Sequence, residues 1–227
     1  MSATQATPRR RFPWNLVPEW AIVISRPVRH YFLPQTRFDR TYGVETRGLV
    51  PPEEVGVDPE TRRDASHYEP TPRAVFVRIL TSNPLDHPRF TFIDLGSGKG
   101  ATLLYASEFP FRRIIGVELS AALDEIAQRN IALYRSRSVK CTDVQSLRLD
   151  ARAFVFPIEP TLLFLFNPFK GQVLDQVVLN LERSLEAHPR EVVVVYHHPE
   201  SRHPALDHST RLRQVRRERD YTLYQAR

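Results

Sequence analysis

The sequence predicts an α/β fold: a doubly wound, mostly parallel seven-stranded sheet, preceded in the chain by an N-terminal helical cap. Three observations support this prediction. From residue 68 onward, short apolar runs typical of buried parallel strands alternate with helical patterns. A glycine-rich turn follows the first apolar run. Two further short strands, separated by a polar turn, end the sequence and indicate an antiparallel pair. The 227 residues are ample for the core of such a domain.

The predicted elements follow one another in a regular order. Residues 72–81 are predicted to form a helix because four apolar side chains recur on one face: Val75, Phe76, Ile79 and Leu80. Pro110 ends the second helix, and Ser120 is a good N-cap for the third. In chain order the remaining predictions are a strand at 90–95, a helix from 99 to about 108, a strand at 113–118, a helix at 121–134, strands at 144–149 and 161–166, a helix at 173–186, a strand at 192–196, and the pair 212–217 and 221–225.

The chain divides into three predicted segments. Residues 1–13 are small, polar and basic, which is typical of a disordered tail. Residues 14–70 are predicted to form an N-terminal cap of short helices, because prolines interrupt their apolar and aromatic residues. The same prolines disfavour the alternative of a continuous amphipathic helix that anchors the chain to a membrane. Residues 71–227 are predicted to form the α/β domain.

Composition limits the classes of protein to consider. No apolar run reaches the roughly 18 residues of a membrane span, and the polar, basic start lacks a secretory core. The single Cys141 cannot form a disulfide within the chain, and no Cys/His cluster has metal-site spacing. We therefore expect a cytoplasmic protein without a metal. The sequence does not indicate an oligomeric state.

The basic charge of the chain has two explanations. Its net charge is +6, and all but three of its 32 basic residues are arginine. An arginine bias of this kind arises from genome composition, or it serves an acidic partner such as RNA or a membrane surface. The arginines are scattered and interleaved with acids, which favours the first explanation.

A glycine turn lies between two strands that both end in acids. The stretch Asp94-Leu95-Gly96-Ser97-Gly98-Lys99-Gly100 follows an apolar run, and a second apolar run ends at Glu118. Glycine lacks a Cβ and tolerates positive φ, so such a turn lets the backbone lie against a ligand. Neighbouring parallel strands present their carboxyl ends at one edge of a sheet, where α/β folds bind nucleotides. The pattern therefore predicts a nucleotide site with two carboxylates.

Three cofactor classes use glycine-rich turns of this kind. A P-loop requires a glycine five positions before Gly98-Lys99 and a Ser or Thr after it, and the sequence has neither. The dinucleotide pattern matches formally through Gly96, Gly98 and Ala101. Asp94 disfavours a dinucleotide, because a carboxylate there repels a doubly negative pyrophosphate. The same carboxylate would attract a ligand that carries an ammonium and a sulfonium group.

These motifs resemble the first two motifs of class I S-adenosylmethionine-dependent methyltransferases, and the resemblance extends over roughly residues 68–227. It implies a Rossmann-like methyltransferase fold with S-adenosylmethionine as cofactor. Asp94 would help to hold the amino group of the cofactor, and Glu118 would accept hydrogen bonds from both ribose hydroxyls. The turn under the methionine part would consist of Gly96, Ser97, Gly98 and Gly100.

Further cofactor residues are implied at two places. Asp150 and Ala151, after the third strand, match the position that contacts the adenine, although an acid there is also typical of a turn or helix cap. Tyr68 and Thr71 belong to a Tyr-Glu-Pro-Thr-Pro segment. In related methyltransferases a similar segment closes over the methionine end of the cofactor. An ordinary helix start with Thr71 as N-cap fits that segment equally well.

The acceptor side of the site is predicted from two strand ends. Asn167, Pro168 and Phe169 match the motif beside the transferred methyl, where amino methyltransferases often carry Asn/Asp-Pro-Pro-aromatic. One proline is missing here, so the resemblance suggests N-methylation without securing it, and a Pro-kinked strand end remains the alternative. His197 ends the fifth strand and is either a general base or a hydrogen-bonded strand terminus.

Taken together, the sequence predicts methyl transfer from S-adenosylmethionine to a nitrogen of a protein side chain or a small molecule. A loose similarity to the non-SET histone-lysine methyltransferase points towards a protein amine. O-methylation of a small molecule is an alternative, and RNA is a less favoured acceptor. A domain that binds an adenosyl cofactor or NAD without methyl transfer is the remaining hypothesis.

Overall fold

A central sheet organises the part of the chain that the structure, a computed structural model, describes: residues 36–48, 68–166, 172–197 and 203–227. Its strands, in chain order, are β1 (Thr91–Leu95), β2 (Arg113–Glu118), β3 (Val144–Arg148), β4 (Thr161–Phe166), β5 (Val192–His197), β6 (Leu212–Arg217) and β7 (Tyr221–Ala226). Each agrees with its predicted strand to within one residue at either end.

The order of the strands in the sheet is β3-β2-β1-β4-β5-β7-β6. Strands β1 to β5 pair in parallel, and β7 is antiparallel to both of its neighbours. The chain moves outward from β1 through β2 to β3 and then returns to the other side of β1 with β4. This reversal creates the crevice at the carboxyl edge where doubly wound folds bind ligands. The predicted fold class, including the terminal antiparallel pair, is confirmed.

Helices flank the sheet. In the described residues they are α1 (Arg37–Tyr42), α2 (Arg73–Ser82), α3 (Ala101–Ala106), α4 (Ala121–Leu133), α5 (Gln172–Ala187) and α6 (Pro204–Asp207), with short 3-10 helices at His87–Arg89 and Ala151–Ala153. The helices α2, α4 and α5 agree with prediction, and Ser120 caps α4 as expected. The helix α3 begins two residues later than predicted because Gly100 has a φ of 76°. The helix α1 lies within the predicted cap of short helices, whereas α6 and the two 3-10 helices were not predicted.

The start of α2 corrects one interpretation of the sequence. The N-cap of this helix is Pro72, which has extended φ and ψ and makes no side-chain cap hydrogen bond. Thr71 therefore lies one residue before the cap, and the idea that it caps the helix is wrong. Thr71 is instead a buried residue at the entry to the helix.

Both faces of the sheet are buried. Alternate residues of β1 point to opposite faces, so Ile93 and Phe92 belong to different cores. The face with Ile93 packs against α5 through residues such as Leu174 and Val177. The face with Phe92 packs against α2 and α3. Helices on both faces explain why the central strands are continuous apolar runs.

Residues 36–48 are the longer of the two described parts of the predicted cap, and residues 68–70 are the other. Val44 is buried against Leu104 of α3 and Tyr134 at the end of α4. The ring of Phe38 lies edge-on to Tyr105 at 5.1 Å. This segment therefore packs on the α/β domain. The predicted tail 1–13 and most of the predicted cap lie outside the described residues. None of the helices described is long and apolar enough to cross a membrane.

Candidate active site

The glycine turn lies where β1 ends, in a conformation that requires glycine. Gly96, Gly98 and Gly100 have φ values of 83°, 53° and 76°, all in the left-handed region that favours this residue. The N–H groups of Gly96 and Ser97 donate to the Val117 carbonyl of β2 at 2.8 and 3.1 Å. The turn is therefore fixed to the neighbouring strand. Gly96 is exposed, whereas residues 97–100 are buried.

Glu118, at the end of β2, holds the turn from the other side. One carboxylate oxygen, Oε2, accepts the N–H of Gly98 at 2.8 Å, and Oε1 accepts the N–H of Ser120 at 2.8 Å. The side chain is buried. Burial raises the pKa of Glu118, and the hydrogen bonds from the backbone oppose that shift. Because each carboxylate oxygen has two lone pairs, both oxygens retain capacity for ligand hydroxyl groups.

Asp94 is the second buried carboxylate, with 3% of its surface exposed. Its Oδ2 accepts a hydrogen bond from the Thr102 hydroxyl of α3. Burial raises the pKa of Asp94 to about 7, the Thr102 hydrogen bond partly opposes this, and the charge of Glu118 raises the pKa further. Within the described residues, neither carboxylate forms an ion pair. The described part of the site therefore holds two interacting acids without a cationic partner.

Lys99 does not supply that cation. Its Nζ donates to Glu45 Oε1 at 2.5 Å and to the Arg47 carbonyl at 3.0 Å. Only 7% of the Lys99 side chain is exposed. The ammonium group is thus neutralised by the segment before α2. This arrangement agrees with the failed match to a P-loop, in which a lysine reaches the phosphates.

Tyr68 contacts the glycine turn directly. A Cβ added to Gly98 would lie 2.1 Å from Cε2 of the Tyr68 ring, so the ring rests against the Gly98 backbone. The Tyr68 hydroxyl donates to the Thr46 carbonyl at 2.7 Å. The ring also packs on Leu123 of α4. The structure thus brings Tyr68 to the predicted site, whereas Thr71 is buried at the start of α2.

No role in the site was predicted for Gly116, which lies inside β2. An added Cβ would lie 2.7 Å from Ser97 Oγ and 2.6 Å from Leu103 Cδ1. Gly116 therefore lets the turn pack closely on β2. A glycine inside a strand often marks a place where another backbone approaches closely, and this pattern could have indicated the role of Gly116. Ser97 Oγ itself is buried with no hydrogen-bond partner in the described residues.

Asp150 and Ala151 lie after β3, near the glutamate side of the turn. The Leu149 N–H donates to the Glu118 carbonyl at 3.0 Å, which fixes this approach. Asp150 caps the 3-10 helix through the Arg152 N–H at 2.8 Å and also pairs with the Arg152 guanidinium at 2.6 Å. Ala151 is buried in the core. Asp150 thus has the capping role named as its alternative, and its contact with adenine stays a prediction.

His197 lies at the end of β5. Two strand spacings, about 10 Å, separate β5 from β1 in the sheet. The His197 Nδ1 atom is 2.6 Å from the Asp220 carbonyl oxygen. Its ring stacks on the ring of Phe166, with 4.8 Å between the ring centroids. A carbonyl only accepts, so Nδ1 carries the hydrogen and Nε2 of the neutral ring is the basic nitrogen. The predicted acceptor residues Asn167, Pro168 and Phe169 lie outside the described residues.

Comparisons with known proteins concern the fold. No protein-family model matches the chain, and no curated protein matches it either. A solved RNA methyltransferase from Salinibacter ruber, in complex with S-adenosyl-L-homocysteine, is 21% identical over 70% of this chain and 92% of its own, with a TM-score of 0.45. A SAM-dependent methyltransferase from Aquifex aeolicus is 16% identical over 77% of this chain and 97% of its own, with a TM-score of 0.48.

A third solved structure, the YcgJ protein from Bacillus subtilis, is 16% identical over 56% of this chain, with a TM-score of 0.42. The match covers 52% of that protein, so the chain spans about half of its length. The strand order 3-2-1-4-5 is that of Rossmann folds, and here it is followed by the antiparallel β7 and by β6. The chain has the Rossmann-like fold that the sequence predicts.

Proposed function

We propose that the protein is an S-adenosylmethionine-dependent methyltransferase. The observation that supports this most strongly is the pair of buried carboxylates, Asp94 and Glu118, on the two sides of the glycine turn. Glu118 is the last residue of β2 and Asp94 the last but one of the adjacent parallel strand β1, and neither forms an ion pair within the described residues. A cationic ligand with ribose hydroxyls satisfies both acids. A dinucleotide pyrophosphate would bring two further negative charges to the same place.

The residues present fit the adenosyl cofactor. The left-handed glycines remove side chains from the turn, and Gly96 leaves an exposed piece of backbone at its edge. Glu118 offers lone pairs to ribose hydroxyls while it holds the Gly98 N–H. Asp94, in its ionised form, would help to hold the ammonium group, directly or through water. The adenine would lie towards Asp150 and Ala151.

Catalysis would rest on positioning two reactants. When bound, S-adenosylmethionine supplies an electrophilic methyl group on a sulfonium. Asn167, Pro168 and Phe169 would orient the acceptor so that its lone pair attacks in line, which alone removes a large part of the barrier. His197 Nε2 would take the proton that the acceptor loses.

For the acceptor we propose a nitrogen of a protein side chain or a small molecule, as the Asn-Pro-Phe motif suggests. The test is incubation with cofactor labelled with tritium in the methyl group and with fractionated lysate. Label in protein or small amines supports the proposal, whereas label in RNA alone contradicts this acceptor class. Calorimetry tests the cofactor assignment: if the protein binds NAD but does not bind S-adenosylhomocysteine, the assignment is overturned.

Replacement of Glu118 tests the ribose contact. We expect Glu118→Ala to weaken S-adenosylhomocysteine binding at least tenfold, because the variant loses charge-assisted hydrogen bonds. Calorimetry measures the dissociation constant, and circular dichroism checks that the variant folds. Glu125→Ala, at an exposed position of α4, is the control and should bind as the original protein does. Equal affinity of Glu118→Ala and the control would remove Glu118 from the site.

A further inference from the structure

A buried amide joins the glycine turn to the segment before α2. The side chain of Asn130, in α4, is 1% exposed and makes three hydrogen bonds to backbone groups. Its Oδ1 accepts the N–H of Glu45 at 2.8 Å. Its Nδ2 donates to the Glu45 carbonyl at 2.8 Å and to the Lys99 carbonyl at 2.9 Å. The amide faces two carbonyls and one N–H. Only this orientation of the amide therefore satisfies all three hydrogen bonds.

The Lys99 carbonyl needs this donor. Gly100 is left-handed, and the first hydrogen bond at the start of α3 runs from the Leu104 N–H to the Gly100 carbonyl at 3.2 Å. No backbone N–H of the described residues donates to the Lys99 carbonyl. A buried carbonyl without a partner is strongly unfavourable, so the Asn130 amide stabilises the conformation that the turn requires.

The other end of this connection returns to the same turn. Glu45, held by Asn130, is followed by Thr46, whose N–H and hydroxyl donate to Asp39 at 3.1 and 2.7 Å. The Thr46 carbonyl accepts the Tyr68 hydroxyl, and the Tyr68 ring rests on Gly98. The path from Lys99 through Asn130, Thr46 and Tyr68 therefore closes on Gly98, one residue away from its start.

We propose that Asn130 is a positioning residue for cofactor binding. It holds the Lys99 carbonyl directly and places the Tyr68 ring through residues 45–46. The inference rests on the proposed function, because the turn is the expected cofactor site. Asn130 has no role in the chemistry and contacts the ligand at no point in this scheme. It acts through the turn's backbone, by its hydrogen bond to the Lys99 carbonyl.

Two variants of Asn130 test the inference. Asn130→Ala removes all three hydrogen bonds, and Asn130→Asp keeps the size of the side chain and the bond to the Glu45 N–H but loses both donors. We expect each to weaken S-adenosylhomocysteine binding about tenfold, the scale of a lost buried hydrogen bond. We also expect faster amide hydrogen exchange at Gly98 and Gly100 in the free protein, a local effect that a general loss of stability would not produce.

Asn83 provides a matched control, because it too makes three hydrogen bonds. Its Nδ2 donates to the Ile79 carbonyl and the Tyr221 hydroxyl, and its Oδ1 accepts from Arg216. Asn83→Ala should lower the melting temperature but leave the ligand affinity and the exchange at the turn within about twofold of the original protein. Unchanged binding and exchange in both Asn130 variants, or equal effects in Asn83→Ala, would overturn the inference. If the unaltered protein binds no S-adenosylhomocysteine, the proposed function fails, and the exchange rates still decide whether Asn130 positions the turn.

Discussion

Asp94→Asn is expected to stabilise the folded protein at pH 8 and to weaken its binding of S-adenosylhomocysteine. Burial raises the pKa of Asp94 from an ordinary 3.8 to about 7. At pH 8 the folded protein must therefore hold a buried, ionised carboxylate that it disfavours. An amide has the same shape and no charge. The shift corresponds to a gain in the free energy of unfolding of up to about 4 kcal/mol.

The sign of the pH dependence follows from proton binding. Between pH 3.8 and about 7 the folded state keeps the Asp94 proton, whereas the unfolded state has lost it. The folded state then binds more protons, so its stability falls as the pH rises through this window and is level on either side. In Asp94→Asn this contribution is absent. The stability difference between the two proteins should be small near pH 4 and largest above pH 7.

Urea denaturation at pH 4 and pH 8 measures this difference. Asp175→Asn, at an exposed position of α5, is the control and should show no comparable dependence on pH. A difference between Asp94→Asn and the original protein that is the same at both pH values would contradict the assigned pKa.

Stability favours the protonated form of Asp94, whereas ligand binding should favour the ionised form. A ligand ammonium requires the ionised form of Asp94, so below pH 7 binding must release the Asp94 proton. We expect the affinity of the original protein to fall by about tenfold per pH unit there, until other groups titrate. Calorimetry in buffers with different heats of ionisation measures the released proton. Asp94→Asn should bind more weakly at pH 8 and release no proton at pH 6.

Local patterns were sufficient to predict most of the fold. The strands are continuous apolar runs because both faces of the sheet are covered, and the turn residues between them carry clear signals. The bounds of α1 were not predicted and α6 was missed, because helices of four to six residues show no periodicity. Thr71 was given the wrong alternative role, since a threonine before Pro72 looks like a cap until the helix start is known.

The candidate site was only partly predictable, because its contacts join residues far apart in sequence. Asp94 and Glu118 were found from strand ends, where topology alone places them at one edge. The contact of Asn130 with Glu45 spans 85 positions, and that of Tyr68 with Gly98 spans 30. No local pattern links such pairs. The role of Lys99 was likewise invisible until its carboxylate partner was located.

Gly98→Ala is expected to have the largest effect on folding of any single methyl added to the glycine turn. The new Cβ would lie 2.1 Å from Tyr68 Cε2, far inside contact distance. The ring cannot retreat easily, because its hydroxyl is bonded to the Thr46 carbonyl. The φ of 53° adds the cost of a left-handed conformation, about 1–2 kcal/mol. We expect a total loss of at least about 3 kcal/mol and no measurable cofactor binding.

The clash and the backbone strain in Gly98→Ala can be separated. Gly43→Ala is the control: Gly43 has a similar φ of 67°, and nothing lies within 4 Å of an added Cβ. The free energy of unfolding of Gly43→Ala should fall only by the cost of the left-handed conformation, about 1–2 kcal/mol. In a double-mutant cycle measured by urea denaturation, Tyr68→Ala should remove most of the additional cost of Gly98→Ala. If Gly98→Ala is no more destabilising than Gly43→Ala, the Tyr68 ring does not rest on the turn, and the path from Asn130 to Gly98 is broken at its last contact.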